Sequence, residues 1–226
     1  MVQKSEGPVA PAAKRRGRPR SYEPDTALGQ AMEAFWKSGY AATTLDDLSA
    51  ATGMNRPSLY AAFGDKQDIY IKAYRRYRAQ MRDEFRPILA AVDGEAPVRG
   101  VLRKILDACR TIYLSGPDGP RGCLTVVTAS SEAIAEPEIR KLVVEAITGL
   151  DETFTGLFAK AIARGELPAT SDPAALAKLT TAAIHTLAIW ARAGMPGDDL
   201  QGLIDAAVSM ICGPEDATRR KARAAR

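Results

Sequence analysis

Apolar residues recur along this chain at the three- and four-residue spacing of amphipathic helices, and no stretch alternates in the two-residue rhythm of a strand. The densest local signal spans residues 44–66. Thr44 can cap a short helix, with Asp47 three residues on as the reciprocal acceptor of a capping box. Leu45 and Leu48 give that helix an inner edge, and Gly53 can end it in the left-handed conformation. Asn55 then caps a second short helix, with Pro57 in its first turn, where a missing N–H costs nothing. Leu59 and Phe63, four residues apart, would pack inward and leave Arg56, Ser58 and Tyr60 facing outward. Gly64 stops this helix and Lys66 begins the next. The layout is that of a helix-turn-helix, a motif that places its second helix in the DNA major groove.

The rest of the chain also reads as helical. A long amphipathic helix is predicted from Lys66 to about Val92, with Pro87 expected to kink it or end it early. Its basic residues, Arg78 and Arg82 among them, are read mainly as a solvated face. A helix follows from about Pro97 to Leu114, and residues 115–120 form a Pro/Gly break. Further helices are expected from near Arg121 to before Pro137, from Pro137 to Arg164, and from Asp172-Pro173 to about Ala193. Leu200, Leu203, Ile204, Ala207, Val208 and Ile211 line the inner face of a last helix. There is no internal repeat.

These residues resemble the TetR family of bacterial transcriptional regulators. The resemblance is carried by Thr43-Thr44-Leu45-Asp46-Asp47-Leu48, Gly53-Met54-Asn55, Ser58-Leu59-Tyr60 and Phe63-Gly64-Asp65-Lys66. The preceding Phe35-Trp36-Lys37-Ser38-Gly39-Tyr40 looks like that family's first helix and its Gly-aromatic exit. The resemblance implies an all-α fold of about nine helices. A three-helix DNA-binding domain (21–66) precedes a ligand-binding and dimerisation domain (67–213), flanked by a basic arm (1–20) and a basic tail (214–226). It implies a repressor that binds a near-palindromic operator as a homodimer through its last two helices and is released by a small-molecule inducer. By the same resemblance Thr44, Tyr60 and Lys66 look like phosphate contacts, while Arg56, Pro57 and Ser58 stand nearest the base edges. For Asn55, capping and DNA contact both remain open. Candidate walls of an inducer pocket are Tyr113, Cys123, Phe154, Phe158, His185 and Trp190, with ordinary core packing the competing reading of each.

Charge changes this picture in one respect. The net +4 is unevenly placed: residues 1–20 carry a net +5 and residues 215–226 a net +3, so the middle is acidic. The helix-turn-helix region sets only Lys37, Arg56 and Lys66 against six acids. Phosphate affinity therefore has to draw on the arm and on helix N-termini. The arm, expected to be disordered without DNA, contains Arg16-Gly17-Arg18-Pro19-Arg20, which resembles an AT-hook core. Arg16, Arg18 and Arg20 suit a narrow minor groove, and this reading is favoured over a solvated tail that only raises the on-rate.

The three cysteines, Cys109, Cys123 and Cys212, are odd in number and lack metal-like spacing. No metal or cofactor is expected, and a reducing cytoplasmic setting fits. No apolar run is expected to reach the length of a membrane span, and no signal peptide is read. Cys123, in Arg121-Gly122-Cys123-Leu124, is the sharper candidate. A helix N-terminus and Arg121 beside it would favour the thiolate, making it a switch for oxidants or electrophiles; an inert core thiol is the alternative. Cys109 and Cys212 are expected to be inert. Two other functions remain in view: an architectural DNA binder using the arm, and a cysteine-dependent enzyme, for which His185 is the one available base.

Overall fold

In the computed structural model the described residues are 23–93, 96–131 and 135–214. Among them every regular element is helical: α1 (Pro24–Ala42), α2 (Leu45–Thr52), α3 (Arg56–Phe63), α4 (Lys66–Asp93), α5 (Val98–Leu114), α6 (Leu124–Ser131), α7 (Pro137–Ala163), α8 (Pro173–Arg192) and α9 (Gly197–Cys212). The all-α expectation holds. The arm with Arg16, Arg18 and Arg20, and the tail beyond Pro214, lie outside the described residues.

Helices α1 to α3 close around the first turns of α4. The inner face of α1 is Ala27, Ala31, Met32, Phe35 and Trp36, all buried. It meets Leu48 of α2, Leu59 and Phe63 of α3, and Ile69, Tyr70 and Ala73 of α4. Burying each large side chain of this set stabilises the packing by about 1.5–3 kcal/mol. Helix α1 loses helical geometry at Gly39, whose carbonyl accepts from Thr43 Oγ1 at 2.6 Å. The expected exit of the first helix is therefore present.

Helix α4 runs out of this cluster and packs against α5 and α7. Pro87 does not end it early: the helix continues to Asp93. Proline removes one N–H donor, but Ile88 and Leu89 beyond it still pack against the core, and that burial outweighs the missing bond. Helices α5, α7, α8 and α9 form the remaining bundle, with α7 against α8 and α8 against both α5 and α9.

Two further expectations need correcting. The helix predicted from near Arg121 starts at Leu124. The N–H groups of Arg121 and Gly122 both donate to the Tyr113 carbonyl, at 2.9 and 3.1 Å, which holds this segment in a turn. And α8, at 20 residues, is by length and composition apolar enough to cross a membrane. Its apolar residues Ala177, Ile184, Leu187, Ala188 and Ala191 are nevertheless buried against neighbouring helices, as in an inner helix of a bundle.

Candidate DNA-binding surface and regulatory cavity

The caps of the helix-turn-helix form as the sequence requires. Asp47 N–H donates to Thr44 Oγ1 at 3.1 Å, and Thr44 N–H donates to Asp47 Oδ2 at 2.8 Å. These bonds hold the Asp47 carboxyl below its ordinary pKa. Gly53 has φ +66°, and Asn55 Oδ1 accepts from Ser58 N–H at 2.9 Å. Asn55 is therefore a cap. With Leu59 and Phe63 buried, α3 leaves Arg56, Pro57 and Tyr60 exposed and Ser58 half-exposed along its outer face.

Three cations here have partners the sequence did not suggest. Arg56 makes a two-pronged bond to Asp46 of α2, Nε to Oδ1 at 2.9 Å and Nη2 to Oδ2 at 2.6 Å. Lys66 Nζ lies 4.4 Å from the centroid of the Tyr40 ring and donates to the Ala41 carbonyl at 3.4 Å. Lys72 donates to the Phe63 carbonyl and so closes the C-terminus of α3.

A cavity of about 370 Å³ opens between α4, α5, α7 and α8. Of the candidate wall residues, Tyr113, Cys123, Phe154 and His185 line it. Phe158 and Trp190 do not. Phe158 is fully buried behind Phe154, with ring centroids 6.4 Å apart, and Trp190 is half-buried against the core. The sequence reading missed most of the remaining wall: Met81, Phe85 and Leu89 on α4, Ile105 on α5, Leu150 on α7, Ile184 on α8, and the basic pair Arg78 and Arg82. Cys109, set aside as inert, also lines it.

The polar lining is shaped by burial. Burial pushes the Cys109 thiol up to about 12, against the opposing effect of the Tyr113 hydroxyl beside it. Burial likewise drives Tyr77 and Tyr113 well above the ordinary tyrosine range. His185 is lowered by desolvation, with Asp151 opposing, which favours its neutral form. Cys123 is buried, and its Sγ shares a hydrogen bond with Tyr77 OH at 3.2 Å. Its carbonyl accepts from Val127 N–H at 3.0 Å, which makes it the residue at the head of α6. Arg121 does not serve this thiol as expected. Its guanidinium pairs with Glu33 at 2.6 Å and lies 3.6 Å from the Trp36 ring centroid. Among the described residues no cluster of three or more His, Cys, Asp or Glu residues is arranged for a metal.

The cavity and the DNA-binding helices share α4. Tyr70, Tyr74 and Tyr77 form a ladder on one face of α4, and each hydroxyl meets a side chain at the head of α6 or within it: Thr128, Thr125 and Cys123. Trp36 of α1 donates to the Gly122 carbonyl, and Arg192 at the end of α8 donates to the carbonyls of Trp36, Lys37 and Arg121. The cavity wall, the exit of α1 and the end of α8 therefore meet at one turn, residues 121–123.

A helix-turn-helix on a helical body defines a class of DNA-binding regulatory proteins, and comparison with known proteins agrees. The model of the bacterial regulatory proteins of the tetR family matches residues 27–73, and that of the tetracyclin repressor-like C-terminal domain matches residues 100–206. The HTH-type transcriptional repressor ComR of Escherichia coli (strain K12) is 30% identical over 181 residues, covering 80% of this chain and 85% of its own. YezE of Bacillus subtilis (strain 168), an HTH-type transcriptional regulator, is 24% identical over 196 residues, covering 86% and 99%. Among solved structures, a cysteine-substituted form of the TetR family transcriptional regulator CifR, in complex with 26-bp operator DNA, superposes with a TM-score of 0.77. It is 30% identical, over 85% of this chain and 98% of that one. The chain belongs to the TetR family of transcriptional regulators. It is a DNA-binding repressor-type protein and not an enzyme, which removes the cysteine-dependent enzyme from consideration.

Proposed function

We propose that this protein represses transcription as a homodimer on a near-palindromic operator, and that filling the cavity, or modifying Cys123 within it, releases the DNA. The observation that carries this reading is the double duty of α4. One stretch of it walls the cavity, while its first turns pack under α1 and α3. A ligand that favours one placement of α4 shifts the spacing of two DNA-binding units, and so the operator affinity.

Several features support the parts of this proposal. On α8 Leu179 and Ile189 are exposed, and on α9 Met210 is exposed beside the small residues Gly202, Ala206 and Ser209. This apolar, lightly charged face suits a four-helix bundle with the same pair from a second copy. An isologous dimer of that kind sets two recognition helices about one DNA turn apart, ~34–36 Å. Arg56, Pro57 and Ser58 would meet base edges, and Thr44, Tyr60 and Lys66 would meet phosphates. Because Lys37 pairs with Asp118 and Arg56 with Asp46, Arg16, Arg18 and Arg20 would supply much of the remaining phosphate and minor-groove contact. CifR bound to its operator is the related case for DNA binding.

The test is selection of random duplex DNA by the purified full-length protein, followed by sequencing, with sedimentation to read the oligomeric state. A palindrome with half-sites near one turn apart, bound by a dimer, is the expected result. Enrichment of AT-rich DNA without a palindrome would instead favour an architectural binder working through its arm.

A further inference from the structure

The cavity combines a long apolar wall with two guanidinium groups on one helix. Arg78 and Arg82 stand four residues apart on α4, so they share a face, and both line the cavity. Neither has a carboxylate partner among the described residues. Arg78 is half-buried and donates one long bond, 3.4 Å, to the Ala146 carbonyl of α7, while Arg82 is exposed at the rim. Two like charges at this spacing repel each other, and burial of one of them raises the cost of leaving it without a counterion. Glu145 of α7 also lines the rim but pairs with neither guanidinium. Desolvation favours the neutral form of His185, and with two guanidiniums against the single carboxylate of Glu145 the lining is net positive. Beyond the arginines the apolar part of the wall includes Met81, Phe85, Leu89, Ile105, Leu150 and Phe154, and the volume of about 370 Å³ falls within the range of small-molecule sites.

We propose that this cavity takes an apolar small molecule carrying one anionic head group, with the head between Arg78 and Arg82 and the apolar body against Phe85, Leu150 and Phe154. This deepens the reading of the cavity as the inducer site and rests on it for its regulatory meaning. The geometry also supplies a coupling. An anion that takes over the Arg78 donors competes with the Ala146 carbonyl, and so loosens a bond between α4 and α7.

The experiment compares octanoate, octanamide and octylamine, three probes of nearly equal shape, on the full-length protein. Binding is read by thermal shift and by tryptophan fluorescence. Octanoate should bind roughly tenfold to a hundredfold more tightly than octanamide, the ratio expected for a charge-assisted hydrogen bond, and octylamine more weakly still. In Arg78→Gln and Arg82→Gln the affinity for octanoate should fall to that for octanamide, with octanamide binding unchanged. Equal binding of acid and amide, preference for the amine, binding of none of the three, or full octanoate affinity in both variants would each overturn the proposal. Should a variant fail to fold, the acid-to-amide ratio of the unsubstituted protein decides alone. Operator binding without probe tests the repressor reading separately. Octanoate bound with operator affinity unchanged would leave the anion site standing and remove its role as an inducer site.

Discussion

The indole Nε1 of Trp36 donates to the carbonyl of Gly122 across 3.1 Å, joining the end of the first helix to the turn that leads into α6. The same ring carries the Arg121 guanidinium on one face and meets Tyr77 edge-on, with centroids 4.6 Å apart. Trp36 therefore touches the turn at 121–123, the tyrosine ladder of α4 and, through its own carbonyl, Arg192 of α8. Any movement of Cys123 or Tyr77 in the cavity wall reaches α1 through two bonds and one ring. Under the proposed function, that is a short physical route by which a filled cavity would act on the DNA-binding helices.

Gly122 is the first place to probe it. Its φ is +66°, and a Cβ there would lie 2.7 Å from the backbone carbonyl oxygen of Ala188. Backbone on α8 cannot swing aside as a flexible side chain can. Gly122→Ala should therefore lower stability by more than about 1 kcal/mol in urea unfolding. Gly100→Ala, at a helical position in α5 with open space around it, should raise stability by roughly 0.5–1 kcal/mol. Equal effects from the two substitutions would remove the steric argument for the turn.

On the DNA face, Arg56 and Lys66 should fail in different ways. Arg56→Ala is expected to weaken operator binding roughly tenfold or more and to relax sequence preference. Lys66→Gln is expected to weaken all duplexes alike and to reduce the salt slope by about one. Neither should much alter thermal stability, since the Arg56–Asp46 pair is exposed. Fluorescence anisotropy with operator and random duplexes, across a salt series, separates the two patterns. A salt-slope change for Arg56→Ala with sequence preference intact would assign it to the phosphates instead.

The local parts of this design were legible in the sequence because their partners lie within four residues. Thr44 with Asp47, and Asn55 with Ser58, are bonds of three-residue reach, and Leu59 with Phe63 is one helical turn. The contacts that resisted reading join separate helices. Arg56 and Asp46 are ten residues apart, and Trp36 and Gly122 are 86 apart. Phe154 and Phe158 share a stripe on α7, yet only Phe154 lines the cavity while Phe158 is buried in the core, a distinction that periodicity does not carry. Arg78 and Arg82 read as a solvated face because periodicity cannot show that a fourth helix leaves a gap beside them. At Pro87 the early end that the local rule allows does not occur: Ile88 and Leu89 beyond it pack against the core, and the helix runs to Asp93, close to the expected Val92.

The cysteines should respond unequally to a thiol-reactive probe. With its thiol pushed up to about 12 by burial, Cys109 is almost wholly protonated at pH 7 and should alkylate slowly. Cys212, pushed up to about 11, should behave alike. Cys123 lies at the head of α6 against Tyr77, where an added group would break the Tyr77 bond and press on α4. N-ethylmaleimide should therefore release operator DNA from the unsubstituted protein and from Cys109→Ser, but not from Cys123→Ser. Mass mapping of the modified residue accompanies the binding assay. Release that persists in Cys123→Ser and vanishes in Cys109→Ser would transfer the switch to the other thiol.

The tyrosine ladder sets an alkaline limit on the fold. Burial pushes Tyr74 up to about 12, partly offset by its bond to Thr125, against an ordinary value of 10.0. The sign follows from proton counting. Between these two values the unfolded chain has lost the phenolic proton and the folded chain keeps it, so the folded state binds more protons and stability falls as pH rises. The contribution of Tyr74 is fully present below pH 10 and is lost by about pH 12. Each pH unit in that window costs about 1.4 kcal/mol for a single such group, and Tyr77, also raised well above its ordinary value by burial, steepens the fall. Tyr74→Phe cannot ionise. It should be somewhat less stable at pH 7, because the Thr125 hydroxyl loses its partner, and should lose stability with a shallower slope above pH 10. Urea midpoints measured from pH 7 to 11 read both effects. A slope unchanged by the substitution would mean that Tyr74 ionises as readily in the folded chain as in the unfolded one, and that the ladder is not sealed from water.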